Sequence, residues 1–223
     1  MKYEHQPWHA SKTAVYDWLY SRYGQRYCVY LEHKRYAKRK RKKKKTKRTL
    51  IPERVSIHKR PKLTNLDYEG DTIVCSQSTA SLATIYNPLV MYLDARKVPN
   101  LKPKVVVRAF DAMLSRIEAR SLTMDNGQEN RLHARLSVTT YFCDPYAPWQ
   151  KPGIENANKL LRRHFPKGMD LSTVLSRKLA SIVKKYNNMP RKKLNWKTPH
   201  EVMTEKRLFK NKKSARGGSC NKG

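Results

Sequence analysis

The run Pro103-Lys104-Val105-Val106-Val107-Arg108-Ala109-Phe110-Asp111-Ala112-Met113-Leu114, followed after six residues by Ser121-Leu122-Thr123-Met124-Asp125, is where the chain changes its apolar period. Val106, Ala109, Phe110, Met113, Leu114 and Ile117 recur at helical spacing, which predicts a helix over Pro103 to Glu118 with one buried face. Ser121 to Met124 then reads as a short strand that delivers Asp125 at its carboxyl end. A helix feeding a strand in this way is a crossover. Upstream, Asp71 to Val74, Ala83 to Tyr86 and Met91 to Ala95 read as strands separated by Ser- and Asn/Pro-containing turns. Downstream, Thr139 to Phe142 is a fifth. Three strands, a crossover helix and further strands make a mixed α/β sheet.

Outside this core the pattern is mostly helical. Ser11 to Tyr20 reads as a short helix, with Ser11 as its cap and Val15, Trp18 and Leu19 on one face. A second helical stretch is predicted from Gln25 toward Tyr36. After Asp144 to Gly153, a loop with three prolines, a helix begins near Ile154, and another is predicted over Leu171 to Tyr186 from its apolar stripe. Trp149 is expected to pack as a core anchor, with stacking on a base as the alternative, and Trp196 to pack in the core. The stretch from Glu205 to Gly223 is basic, ends in small residues and reads as a disordered tail.

Charge narrows the partner. The 223 residues carry 49 Lys and Arg against 17 Asp and Glu, a formal net charge of +32. A charge of that size repels itself and is expected where a polyanion binds. Twelve of the fifteen residues from Lys34 to Arg48 are Lys or Arg, so no core can form there. The run is both a solvated linker and a candidate phosphate-contacting arm, with Lys38, Arg39, Lys40, Arg41, Lys42, Lys43, Lys44 and Lys45 at its centre. An apolar stretch near twenty residues and a signal-peptide pattern are both lacking, so a membrane is not the expected partner. An intracellular, soluble protein is expected. Cys28, Cys75, Cys143 and Cys220 stand singly, which argues against a zinc site or disulfide framework and for reduced thiols. The histidines show no metal-ligand spacing.

In so basic a chain, acids at element ends stand out. Asp71 opens an apolar run, Asp125 heads the turn Asp125-Asn126-Gly127, and Glu155 sits where a loop becomes a helix. In an open α/β sheet, functional groups gather at strand carboxyl ends. Asp71 and Asp125 on neighbouring strands, faced by Glu155, would raise one another's pKa, a conflict that a divalent cation resolves. Hard oxygen ligands suit Mg²⁺ or Mn²⁺, and two such ions suit in-line phosphoryl transfer. Each acid alone also fits a plainer role: a turn residue, a first-turn helix acid or a strand edge. Asp67, Glu69, Asp94, Asp111, Glu118, Glu129, Asp144 and Asp170 compete for the same roles, with Asp111 and Glu118 expected to face solvent.

The blocks around these acids resemble the DDE transposases of bacterial insertion sequences, in the group typified by insertion sequence thirty. Ile51 to His58, Tyr68-Glu69-Gly70-Asp71-Thr72-Ile73-Val74, Ala95 to Asn100 and Thr123-Met124-Asp125-Asn126-Gly127-Gln128-Glu129 match in order. Tyr141-Phe142-Cys143-Asp144-Pro145-Tyr146-Ala147-Pro148-Trp149-Gln150 is the most specific block. Glu155-Asn156-Ala157-Asn158 and Asn187 to Pro199 follow. The resemblance covers roughly residues 11 to 203.

It implies a ribonuclease H-like mixed-sheet core of the integrase catalytic type, with Asp71, Asp125 and Glu155 as catalytic and metal-binding residues. The implied reaction is Mg²⁺-dependent cutting of transposon ends and joining of the freed 3′-hydroxyl to target DNA. Two ions are implied, with Mn²⁺ able to substitute, in a protein working as a homo-oligomer in the bacterial cytoplasm beside the nucleoid. Lys159 and Arg162 share a helical face with Glu155 and are candidate DNA contacts.

The expected organisation is a short helical, basic DNA-binding remnant of a helix-turn-helix region at 1–33, a basic linker at 34–60, the catalytic core at 61–204 and the tail at 205–223. Three departures from the family go with it. Most of the amino-terminal DNA-binding region is missing, as in a truncated copy. The 29 residues between Asp125 and Glu155 are four fewer than is usual, about one helical turn, and fall short within Asn130 to Thr140, where a helix is expected. Tyr86-Asn87-Pro88-Leu89-Val90 and Lys151-Pro152-Gly153-Ile154 also depart from the usual pattern. A catalytically inactive copy acting only as a DNA-binding protein is the alternative reading.

Overall fold

The computed structural model describes residues 10–31 and 51–210. The chain divides into two units, residues 1–48 and 49–223. The basic run, its candidate DNA contacts Lys38 to Lys45, Cys220 and the last thirteen residues lie outside the described residues.

In the first unit, α1 spans Lys12–Tyr20, and the Ser11 hydroxyl accepts from the Ala14 N–H at 3.1 Å as its cap. Of the three apolar residues expected on its inner face, Leu19 is buried, whereas Val15 and Trp18 are exposed. The second helical stretch is a 3₁₀ segment over Gln25–Tyr30. Cys28 caps the pair by donating its thiol to the Leu19 carbonyl at 3.1 Å.

The second unit is built on a five-stranded sheet. Strands β1 (Asp67–Val74), β2 (Ser81–Tyr86) and β3 (Leu93–Val98) form an antiparallel meander. After the crossover helix α2 (Pro103–Leu114), β4 (Ser121–Met124) lies parallel to β1, and β5 (Thr139–Phe142) parallel to β4. The spatial order is β3-β2-β1-β4-β5, a mixed sheet as expected. Helices α3 (Pro152–His164), α4 (Ser176–Asn187) and α5 (Pro199–Glu205) complete the unit.

The sheet separates two apolar cores. Tyr68, Ala83, Ile85, Leu122 and Met124 meet α2 and α5 on one side. Ile73, Leu82, Tyr86 and Leu93 meet α3 and α4 on the other. Side chains alternate along a strand, so this division fixes where every other residue points. All six residues of β2 are buried, as a strand covered on both faces requires.

Several expected boundaries move, each for a tertiary reason. The helix α2 ends at Leu114, because Arg116 to Glu118 pair instead with the chain beyond α5: Glu118 N–H donates to the Leu208 carbonyl and Lys210 N–H to the Arg116 carbonyl. Ile117 faces Phe209 across an isolated bridge, so residues 205–210, expected as the start of a disordered tail, pack against the core. Leu171 and Val174 are buried but precede α4. They sit in a turn held by Asp170, whose carboxylate accepts the Ser172 N–H at 2.8 Å, and by Lys97, which donates to the Ser172 and Val174 carbonyls.

The helix expected within Asn130 to Thr140 is replaced by two 3₁₀ turns, Gln128–Asn130 and His133–Arg135. His133 is buried there, with its ring nitrogens paired to the Thr140 hydroxyl at 2.8 Å and the Pro52 carbonyl at 3.3 Å.

Candidate active site at the ends of the central strands

The parallel pairing of β1 and β4 sets Glu69 opposite Thr123. Two residues further on stand Asp71, within β1, and Asp125, just past the end of β4. Asp71 shares the face of Ile73 two residues on, and Asp125 follows Met124 on the opposite face, so both carboxylates belong to the side of the sheet covered by α3. Burial pushes the Asp71 carboxyl above its usual range; the Lys151 ammonium opposes this, and the like charge of Asp125 adds to it.

Each acid is held by neighbours that the sequence reading did not single out. Asn158 Nδ2 donates to Asp71 Oδ2 at 2.7 Å, while its own Oδ1 accepts from the Thr84 hydroxyl at 3.0 Å. Thr84 is the cross-strand partner of Asp71 on β2. Lys151, 7% exposed, donates to the Gly70 carbonyl at 3.0 Å and lies 4.0 Å from Asp71 Oδ1. Asn130 Nδ2 donates to Asp125 Oδ1 at 3.1 Å and to its carbonyl at 3.2 Å. Asn126 ties the same turn to β5 by donating to the Cys143 carbonyl at 2.6 Å, and Arg54 holds Asn126 from the other side at 3.2 Å. A Cβ on Gly127 would lie 2.4 Å from Glu129 Oε1, so a larger residue there would push the Glu129 carboxylate aside. The one available signal was Asn158, which shares a helical face with Glu155 three residues earlier.

Glu155 is half-buried in the first turn of α3. Asn158 follows it on the face that meets Asp71, so the helix faces Glu155 toward the same end of the sheet. Among the described residues, no group of three or more His, Cys, Asp or Glu side chains is gathered closely enough to hold a metal ion. Asp71 and Asp125 stand together; Glu155 approaches from the helix. Lys159 is exposed on α3, and Arg162 donates to Cys75 Sγ at 3.5 Å just past the end of β1.

The competing acids are mostly committed elsewhere. Asp67 pairs with Arg120 at 2.6 Å, and Asp94 with Arg116 at 2.9 Å. Asp144 accepts from Gln150 and pairs with His58. Asp111 accepts from Ser137, Asp170 holds the turn before α4, and Glu118 is exposed. Glu129 accepts from the Thr72 hydroxyl at 3.3 Å, beside Asp71. Glu69 accepts the Ile154 N–H at 2.7 Å.

Trp149 corrects an expectation. It is 73% exposed in the loop between β5 and α3, because the 3₁₀ turn Pro148–Gln150 lies on the surface rather than across a core. Trp196 is half-buried.

No protein-family model matches the chain. It is 35% identical over 171 residues to the transposase for insertion sequence element IS1086 of Cupriavidus metallidurans, covering 71% of this chain and 50% of that one. It is 33% identical over 206 residues to the transposase for IS4351 of Bacteroides fragilis, covering 86% and 63%. With transposase InsI for IS30A of Escherichia coli it shares 42% identity over 88 residues, covering 38% and 23%. The chain thus spans half to five-eighths of the length of the first two relatives.

Among solved structures, the catalytic core domain of BIV integrase aligns with a TM-score of 0.51 at 16% identity, covering 65% of this chain and 97% of that one. A simian T-cell lymphotropic virus intasome, in complex with a PP2A regulatory subunit, aligns with a TM-score of 0.53 at 17% identity, covering 78% and 66%. These share the fold. The chain is a homologue of the transposases of bacterial insertion sequences, matched over part of their length, and its second unit has the ribonuclease H-like fold of integrase catalytic cores.

Proposed function

We propose that this protein cleaves DNA strands and transfers the freed 3′-hydroxyl to a second DNA, as part of the transposition of an insertion sequence. The observation that carries this reading is the placement of Asp71 in β1 and Asp125 just past the end of the parallel neighbour β4, each two residues beyond the paired Glu69 and Thr123, with Glu155 on the helix whose next turn grips Asp71.

The donors fit a hard divalent cation: two carboxylates of like charge side by side, one buried and raised in pKa partly by the other. Asp71, Asp125 and Glu155 are the residues that would hold it. Bound there, one or two Mg²⁺ or Mn²⁺ ions would supply activation of the attacking oxygen and neutralisation of the leaving oxygen. Asn158 and Asn130 keep one oxygen of Asp71 and one of Asp125 hydrogen-bonded, fixing both carboxyl planes before DNA arrives. Lys151 balances part of the local negative charge. Lys159, Arg162 and the run Lys38 to Lys45 are proposed to hold phosphates, in a homo-oligomer on double-stranded DNA beside the bacterial nucleoid. The organisation proposed is a DNA-binding segment at 1–33, a basic linker after it, and a catalytic core in the second unit that takes in Ile51 at one end and Leu208 and Phe209 at the other.

A second reading, a DNA-binding protein without catalysis, is favoured by the Lys151 ammonium beside Asp71 and by the lack of a three-acid cluster among the described residues. Both readings give DNA binding that weakens steeply with salt. End nicking and strand transfer with Mg²⁺ or Mn²⁺ separate them. The parent is expected to show both, and Glu155→Gln to lose them by more than about a hundredfold. Equal activity in the two proteins would remove Glu155 from the site; no metal-dependent nicking by the parent would leave the binding reading.

A further inference from the structure

Helix α3 begins without a cap of its own. The first turns of a helix leave N–H groups unsatisfied, and a side chain at the preceding residue ordinarily accepts from the second or third of them. The residue preceding α3 is Lys151, whose side chain caps nothing and runs instead to Gly70. Pro152, the first helical residue, has no N–H to satisfy. The third is Ile154, and its N–H is taken by Glu69 Oε2 at 2.7 Å. Glu69 lies on β1 and is 3% exposed. The strand therefore does the work of the missing cap.

The fit is close. A Cβ on Gly153 would lie 2.5 Å from Tyr86 Cε1 and 3.0 Å from Glu69 Oε2, so the first turn of α3 rests flush on β1 and β2. Lys151 adds a second tether, from the same turn to the Gly70 carbonyl at 3.0 Å. A carboxylate at this end of a helix is also favoured by the peptide dipoles. The two tethers fall on residues 69 and 70, directly before Asp71, and the capped N–H directly precedes Glu155.

We propose that Glu69 is a positioning residue: by capping α3 from inside the sheet, it sets where Glu155 stands relative to Asp71. This rests on the roles given above to Asp71 and Glu155. One strand then fixes both acids, Asp71 directly and Glu155 through a single hydrogen bond from the N–H of Ile154, the residue before it.

The test compares Glu69→Ala and Glu69→Gln with the parent chain by amide hydrogen exchange at Ile154 and Glu155 and by Mg²⁺-dependent nicking of end DNA. Losing a cap should speed exchange at Ile154 about fivefold or more in E69A. Nicking should fall at least about tenfold with DNA affinity unchanged, as for loss of a residue supporting metal ligands. E69Q keeps an oxygen acceptor and should restore both readouts to within about twofold of the parent. Unchanged exchange at Ile154 in E69A would overturn the proposal, as would E69Q failing alongside E69A in both measurements. A parent that does not nick DNA would overturn the functional reading instead, and the exchange measurement would still decide whether Glu69 caps the helix.

Discussion

Asn158 donates to Asp71 across the junction of α3 and β1 at 2.7 Å, and the same amide accepts from Thr84 on β2. One side chain thus joins the helix that carries Glu155 to the two central strands. Glu155 precedes it by one turn, so whatever orients Asn158 also orients the helix face that the acids share. Replacing it with Ala should free the Asp71 carboxylate and cost about tenfold to a hundredfold in nicking, with DNA affinity unchanged. A metal titration of nicking rate checks this; full activity at every metal concentration would show that the tie is dispensable.

A second prediction concerns pH. Burial pushes the Asp67 carboxyl up from its ordinary 3.8, but hydrogen bonds from Arg120, Ser121 and Thr64 outweigh it and hold the group below that value. The folded state then binds fewer protons than the unfolded chain across this window. Stability from Asp67 is present above the ordinary value and is lost as pH falls through the lowered one. Asp67→Asn removes the charge that accepts from Arg120 at 2.6 Å and should cost about 2 kcal/mol at pH 7. The difference from the parent should shrink in urea melts below about pH 4.

Gly153 offers a prediction whose sign is informative. On an open helix face, Gly to Ala stabilises by about 1 kcal/mol. Here the new Cβ meets the Tyr86 ring at 2.5 Å. Gly153→Ala should instead destabilise by about 1–3 kcal/mol, through displacement of the first turn of α3. A thermal melt showing a raised midpoint would mean that the turn can lift freely.

The exposure of Trp149 separates it from the core aromatics. Trp149→Ala should change stability by no more than about 0.5 kcal/mol. Phe110, 1% exposed in the core beneath α2, should cost about 3–5 kcal/mol on the same change. Denaturant midpoints of the two variants, measured side by side, test both statements.

Much of the fold is legible in local pattern. The ends of β4 and β5, the amphipathic crossover helix and the mixed sheet all follow from apolar periods of two and of about 3.6 residues. Where the reading fails, a distant partner intervenes. Leu171 and Val174 continue the stripe of α4 but belong to a turn held by Lys97 on β3. Ile117 continues the stripe of α2 but faces Phe209 from the far end of the chain. Periodicity records that a residue is buried, not whether its backbone stays helical. Trp149 shows the converse, an apolar residue with no core above it.

The sequence by itself determined which residues are available for chemistry in this protein: a strongly basic chain, the candidate carboxylates Asp71, Asp125 and Glu155, and the ordered blocks around them. Types and order of residues are enough for that, because they need no contact to be read. Only the tertiary structure decided how those acids are held. The parallel register of β1 and β4 sets Asp71 beside Asp125, Asn158 grips Asp71, and Glu69, one acid among eight competitors, is drawn into the cap of α3. Hydrogen bonds between residues tens of positions apart depend on strand register and helix docking, and those are properties of the packed chain alone.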